Sequence, residues 1–170
     1  MCEANPRTVV VLSNGAPVEM PWAEKPAAIL EAYLGGQAGG TALADVLFGD
    51  VEPGGRLPET FPIAQTDLLA DRNFPGAPRQ VQYRENLYVG YRQFVTTGEP
   101  VRFRFGHGLS YTTFELGEAS TSASAIDAGE RVMVSTPLRN AGDRAGSTVV
   151  QVYVRPLGEM QPRPERELRA

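Results

Sequence analysis

Apolar and polar residues change their spacing partway along this 170-residue chain. The continuous β-branched and apolar run Thr8-Val9-Val10-Val11-Leu12, closed by Ser13-Asn14-Gly15, predicts a strand buried on both faces, as in a parallel sheet. Pro17 and Pro21 then forbid a central helix and predict an irregular crossover. Residues 27–33 form a short apolar segment that fits strand or helix by period; its length and the Gly35-Gly36 boundary favour a strand. From Gly39 to Phe48, Ala42, Leu43, Val46 and Leu47 repeat at helical spacing, and Gly49 stands where a helix stops. A turn over 50–55, an extended proline-punctuated stretch over 56–62 and a loop over 63–78 are expected next. Residues 81–92 alternate only in part and carry aromatics that need packing partners, so they read as a strand or an irregular core segment.

Past Gly106-His107-Gly108 the composition turns to short β-type runs separated by Ser, Gly and Asp, which places a domain boundary near Ser110. Three strands are expected, at 112–116, 132–136 and 149–154, with turn material at Asn140-Ala141-Gly142-Asp143. Three strands would leave unpaired edges and an open apolar face, so the chain is expected to end inside an all-β domain. The fold class is thus α/β over residues 1–110, followed over 111–170 by an incomplete all-β sandwich. There is no internal repeat or heptad.

Composition narrows the function. With 42% hydrophobic residues the chain can bury a core, and its 18 Gly and 14 Pro lie between apolar runs, as in a folded, turn-rich chain. A net charge of −4 without a basic patch argues against nucleic acid as a partner. Cys2 is the only cysteine, which excludes an internal disulfide and a cysteine-rich zinc site, and a single histidine gives a metal little nitrogen. No apolar run approaches the roughly 18 residues needed to span a bilayer, and the first six residues lack a signal-peptide pattern, so no membrane partner is expected.

Each candidate for chemistry has a plainer structural alternative. Gly35-Gly36-Gln37-Ala38-Gly39-Gly40 precedes a helix, but it lacks the G-x-G-x-x-G spacing and the Gly-Lys-Ser/Thr of a phosphate cradle, so a tight strand-to-helix turn explains it better. His107 has no G-x-S-x-G nucleophile beside it and reads as a structural loop histidine that makes a hydrogen bond. Glu19, Asp45 and Glu85 lie in apolar surroundings, where burial raises a carboxyl pKa and creates a general acid. A retaining glycosidase needs two carboxylates about 5–5.5 Å apart, which no spacing here sets, and ion pairing or capping is the alternative. Trp22 could stack on a sugar ring but reads first as a core anchor.

Four blocks in order carry a family resemblance. They are Val9 to Val18 with Pro21-Trp22, Ala42 to Gly49 with Pro53-Gly54-Gly55-Arg56-Leu57-Pro58, Tyr88-Val89-Gly90-Tyr91-Arg92, and Phe105 to Phe114. Together the chain closely resembles glycoside hydrolase family 3, in particular its three-domain β-glucosidases, over nearly its whole length. The segment from Val149 to Val154, with Arg163-Pro164, Glu167 and Leu168, resembles the early strands of the family's fibronectin type III-like, immunoglobulin-like domain. The resemblance implies removal of terminal β-linked glucosyl residues from a β-glucoside or related oligosaccharide with retention, through a covalent intermediate and with no metal or organic cofactor. It also implies a nucleophilic aspartate on an N-terminal barrel and an acid/base glutamate upstream of the strand at 8–12. Neither motif is found here, so no catalytic residue is assigned. The chain is expected to be an inactive fragment that supports the active site. A free-standing carbohydrate- or protein-binding module, or one half of a split glycosidase, is the alternative.

Overall fold

The computed structural model describes residues 1–76, 79–158 and 162–170. The first apolar run forms strand β1 (Val9–Leu12), which pairs in parallel with β2 (Ala28–Glu31) in the register Val9↔Ala28 to Leu12↔Glu31. The prolines of the crossover keep residues 13–27 out of regular structure. Main-chain bonds continue the pairing at both ends, from Ala27 N–H to the Thr8 carbonyl at 2.8 Å and from Ala32 N–H to the Leu12 carbonyl at 2.9 Å.

Helix α1 spans Gly39–Phe48, the segment expected from its spacing. Gly49 ends it in the left-handed region at φ 84°, where its N–H reaches the Val46 carbonyl at 3.1 Å and Asp50 N–H reaches the Asp45 carbonyl at 2.8 Å. Within the extended stretch after the turn, only β3 (Phe61–Pro62) is a strand. The loop that follows contains two 3₁₀ turns, Gln65–Asp67 and Asp71–Asn73, and its expected end at 77 and 78 lies outside the described residues.

Residues 81–90 correct the expectation of a strand or core segment. They are mostly exposed, with Tyr83 at 81%, and they turn at Asn86, which holds φ 48°, and at Gly90, which holds φ 59°. Those two left-handed residues break an extended path, and helix α2 (Tyr91–Thr97) starts directly after Gly90. Its inward positions Gln93 and Phe94 are buried; β4 (Val101–Phe103) then pairs antiparallel with β3. Phe61 and Phe103 meet edge to face across this pair, with ring centroids 6.3 Å apart.

The core sits here: Met20, Phe61 and Phe94 are buried, and so are the prolines Pro62 and Pro164. The Gln93 amide is fully occupied inside it. It accepts from Leu69 N–H at 3.2 Å and donates to the Asp67 carbonyl at 2.6 Å, which fastens the 3₁₀ turns to α2.

The C-terminal part is β-type, as expected, but its strands are shorter and more numerous than the three runs predicted. They are β5 (Phe114–Leu116), β6 (Ser120–Thr121), β7 (Val134–Ser135), β8 (Leu138–Asn140), β9 (Tyr153–Val154) and β10 (Glu167–Leu168). They pair antiparallel as β5 with β8, β6 with β7, and β9 with β10. Asn140, read as turn material, ends β8 instead. Its side chain accepts from Thr112 Oγ1 at 2.6 Å and donates to the Arg144 carbonyl at 2.7 Å, closing the turn that follows. The predicted run at 149–154 contracts to two residues because its partner is the last strand, whose neighbours Arg169 and Ala170 bond to Val152.

Candidate functional site

Two polar centres stand out. The first lies at the carboxyl ends of β1 and β2, where open parallel sheets place their ligands. There Glu31 accepts from Tyr33 N–H at 2.9 Å and from Asn14 Nδ2 at 3.2 Å, and the Tyr33 hydroxyl faces Glu59 Oε1 at 3.5 Å. Tyr33 holds a positive φ of 46°, and Ser13 Oγ donates to its carbonyl at 3.0 Å. Burial first, then the carboxylates of Glu59 and Glu31, push the Tyr33 phenol up to about 12, so it remains a neutral donor. Burial also raises Glu59. The side-chain oxygen of Asn14 is buried with no donor among the described residues. The sequence signal for this cluster was Glu31 at the close of a strand, and it was missed because Glu59 and Tyr33 join it only through folding.

The second centre is a seam between residues before and after Ser110. Glu52, in the turn that follows α1, accepts a hydrogen bond from the Ser110 hydroxyl, one from Ser147 N–H at 3.2 Å and one from Ser147 Oγ at 3.4 Å. Nearby, Arg56 donates to Thr148 Oγ1 at 3.1 Å and to the Gly55 carbonyl at 2.9 Å. The Tyr111 hydroxyl donates to the Val46 carbonyl at 2.6 Å, and Arg144 lies over its ring while donating to the Gly49 carbonyl. A second clasp joins α2 to β10: Leu168 N–H donates to the Tyr91 hydroxyl at 2.8 Å, and Tyr91 packs against Phe105 and Tyr153.

The hydrogen bond from Ser110 holds the Glu52 carboxyl below its ordinary 4.5, with the Ser147 contacts and the Arg56 charge adding to it and burial opposing. A carboxyl depressed in the folded state contributes stability that is present above 4.5 and is lost as pH falls through the folded value. Glu52→Gln is therefore expected to cost about 1 kcal/mol at neutral pH and to flatten the fall in melting temperature below pH 4.5. Thermal melts of both proteins across that range check it.

The carboxylates singled out from sequence are not brought together as a pair. Glu19 caps the Gln65 amide at 2.6 Å, in line with its structural alternative. Asp45 lies on α1, where its main-chain carbonyl accepts Asp50 N–H at 2.8 Å and Val51 N–H at 3.1 Å. Glu85 lies in the exposed turn before α2. His107 stacks on Phe103 at 5.0 Å, and its main-chain carbonyl accepts Leu57 N–H at 2.9 Å; among the described residues no hydrogen bond is made by its ring. Burial, then the Arg56 charge, lowers its pKa. Trp22 is half-buried and does not join the core. In the glycine-rich loop, Gly36 holds φ 62° and a side chain on Gly35 would come within 3.1 Å of Gly39 Cα, which supports the tight-turn reading. A cleft of about 200 Å³ between α2, β4 and β9 holds one acid, Glu99, beside Arg104 and Arg166; a second, around Phe74 and Gln82, holds none. Among the described residues there is no cluster of three or more metal-ligating acids, histidines or cysteines.

The fold of the chain recurs in solved structures. Residues 1–111 match the sequence profile of the glycosyl hydrolase family 3 C-terminal domain, and the chain belongs to this family of glycosidases. Among its relatives, thermostable beta-glucosidase B of Acetivibrio thermocellus is 48% identical over 99% of the chain, which corresponds to 22% of that protein. A beta-glucosidase of Rhizobium radiobacter is 47% identical over 100% of the chain and 21% of its own length. The crystal structure of the Bifidobacterium adolescentis family 3 beta-glucosidase superposes with a TM-score of 0.92 at 40% identity, over 99% of this chain and 25% of that one. Beta-glucosidase from Kluyveromyces marxianus in complex with glucose gives 0.91 at 42% identity, over 99% and 20%. The chain spans about a fifth of the length of the curated relatives it matches.

Proposed function

We propose that this chain is the C-terminal scaffold of a retaining β-glucosidase that hydrolyses terminal β-linked glucosyl residues, and that it supports the active site without supplying its catalytic carboxylates. The observation that carries this reading is the likeness of 99% of the chain, on both sides of the seam, to one region of proteins named beta-glucosidases. The first domain is 1–110, and 111–170 belongs to a fibronectin type III-like domain; the end of the family match at residue 111 and the succession of short antiparallel strands after it, with no helix among the described residues there, favour this division. In this arrangement the parallel pair and α1 form part of the layer behind the acid/base loop, and the Glu52 seam fixes the angle at which the β-type domain braces it. The nucleophile and the acid/base come from a barrel domain and from a loop outside this chain.

No catalytic residue is assigned to this chain. A two-carboxylate mechanism needs acids on both sides of a sugar-sized cleft, and the two clefts described hold Glu99 alone. The purified chain is expected to release no aryl aglycone from an aryl β-glucoside above the buffer rate. Turnover that is abolished by Glu31→Gln or Glu59→Gln would overturn the reading, because the acids would then be in this chain.

A further inference from the structure

The cleft of about 200 Å³ between α2, β4 and β9 takes its walls from both sides of the proposed boundary at residue 110, and its polar groups are unevenly matched. Arg104 follows β4 and Arg166 precedes β10, so one guanidinium lines it from each side. Among the described residues neither guanidinium forms an ion pair or donates a hydrogen bond. Arg166 lies over the Tyr153 ring at 5.4 Å, which steadies its plane and leaves its N–H groups uncommitted. Glu99 is the one acid in the lining, and it accepts from Gln93 Nε2 at 3.3 Å. Thr60, just before β3, also lines the cleft; it is 6% exposed, and its hydroxyl makes no hydrogen bond among the described residues. A buried hydroxyl without a partner is costly, so this one calls for an acceptor.

The aromatic residues of the cleft are already engaged. Tyr91 stacks on Phe105 at 4.9 Å, its hydroxyl accepts from Leu168 N–H at 2.8 Å, and the Tyr153 hydroxyl donates to Gln151 Oε1 at 3.0 Å. With Tyr91 and Phe105 facing each other and Arg166 over Tyr153, an uncharged sugar ring finds little open aromatic face to stack on. What is left without a partner is a set of donors, two guanidiniums and one hydroxyl. Guanidinium forks match the oxygens of carboxylates and phosphates, and donors on three separate elements suit a tetrahedral ion, which accepts in several directions, better than a planar carboxylate.

We propose that this cleft is a binding site for a small oxyanion of the phosphate type, held between Arg104 and Arg166 with Thr60 donating to it, and that the bound ion ties the two parts of the chain together.

The test is isothermal titration of the chain with inorganic phosphate, at an ionic strength held constant with chloride so that general screening does not change. A one-to-one isotherm is expected, with a rise in melting temperature that chloride does not give and slower amide exchange at both 101–103 and 167–168. Arg104→Gln and Arg166→Gln are each expected to weaken binding roughly tenfold, the loss that follows removal of a charge-assisted hydrogen bond. Thr60→Val keeps the shape of the buried side chain and should weaken it about threefold. Glu99→Gln has the opposite sign, which a damaged fold does not imitate. It removes the one negative charge of the lining while its amide oxygen still accepts from Gln93, and binding should tighten about threefold. Methyl phosphate distinguishes the source: tighter binding of the ester points to a phosphorylated small molecule, tighter binding of phosphate to the free ion, and either supports the site. No saturable binding, undiminished binding to the two glutamine variants of the arginines, equal stabilisation by chloride, or acetate bound as tightly as phosphate each overturns the proposal.

Discussion

Replacing Phe61 with alanine is expected to remove most of the stability of the N-terminal part. Phe61 is 1% exposed, and it forms the buried core of this part together with Met20 and Phe94. Truncating a buried phenylalanine costs about 3–5 kcal/mol, because the lost transfer energy is joined by a cavity that the surroundings fill only in part. The edge-to-face contact with Phe103 is lost as well, for roughly another 0.5–1.5 kcal/mol. Total stabilities of about 5–15 kcal/mol are usual for domains, so a core this small has little to absorb the change. Urea denaturation followed by circular dichroism should show a large fall in midpoint, or a chain that no longer folds. Phe48→Ala is the matched control: this side chain is 85% exposed, and its truncation should alter stability by no more than about 0.5 kcal/mol. Equal effects of the two substitutions would mean that the core is not centred on Phe61.

The second large effect is expected at Gly108. A Cβ there would lie 2.6 Å from the Gly55 carbonyl oxygen and 2.7 Å from Arg56 Cδ. The arginine stem can swing aside, but the carbonyl cannot. The two loops are tied together on either side, by Leu57 N–H to the His107 carbonyl at 2.9 Å and by Gly106 N–H to the Leu57 carbonyl at 2.8 Å. Gly108→Ala must therefore part the loops or strain them, at a cost of about 1–3 kcal/mol. Because Arg56 reaches Thr148 from this crossing, the substitution should also loosen the seam. Thermal melts should show the fall, and faster amide exchange near Ser147 should accompany it. Gly55→Ala tests the geometry from the other side of the contact: its added carbon meets nothing within 4 Å, and little change is expected.

Where local chemistry was decisive, the sequence reading was close. Helix α1 runs from Gly39 to Phe48 because its apolar spacing and its terminal glycine agree, and neither depends on distant residues. β1 follows from consecutive β-branched residues, and the irregular crossover from two prolines. Helix α2 was missed since Tyr83, Tyr88 and Tyr91 fell into one partly alternating segment over 81–92, with the break at Gly90 hidden in a positive-φ turn that a sequence does not display. The candidate acids were sought in apolar surroundings along the chain, which led to Glu19, Asp45 and Glu85. Glu52 and Glu59 shift for reasons that the sequence does not display: Glu52 is lowered first by the hydroxyl of Ser110, distant in sequence, and Glu59 is raised first by burial, against the hydrogen bond from Tyr33.

The sequence by itself determined the elements whose cause lies within a few residues, together with the family, which short motifs in a fixed order express. Only the tertiary structure decided which β-type segments pair, and where Glu52 acts. Its partner Ser147 is 95 residues away, and Arg56 lies 92 residues from Thr148. Backbone propensity acts over one turn or one strand, whereas a seam requires the closure of a long loop, and the residues that meet across it are selected by the packing of everything between them.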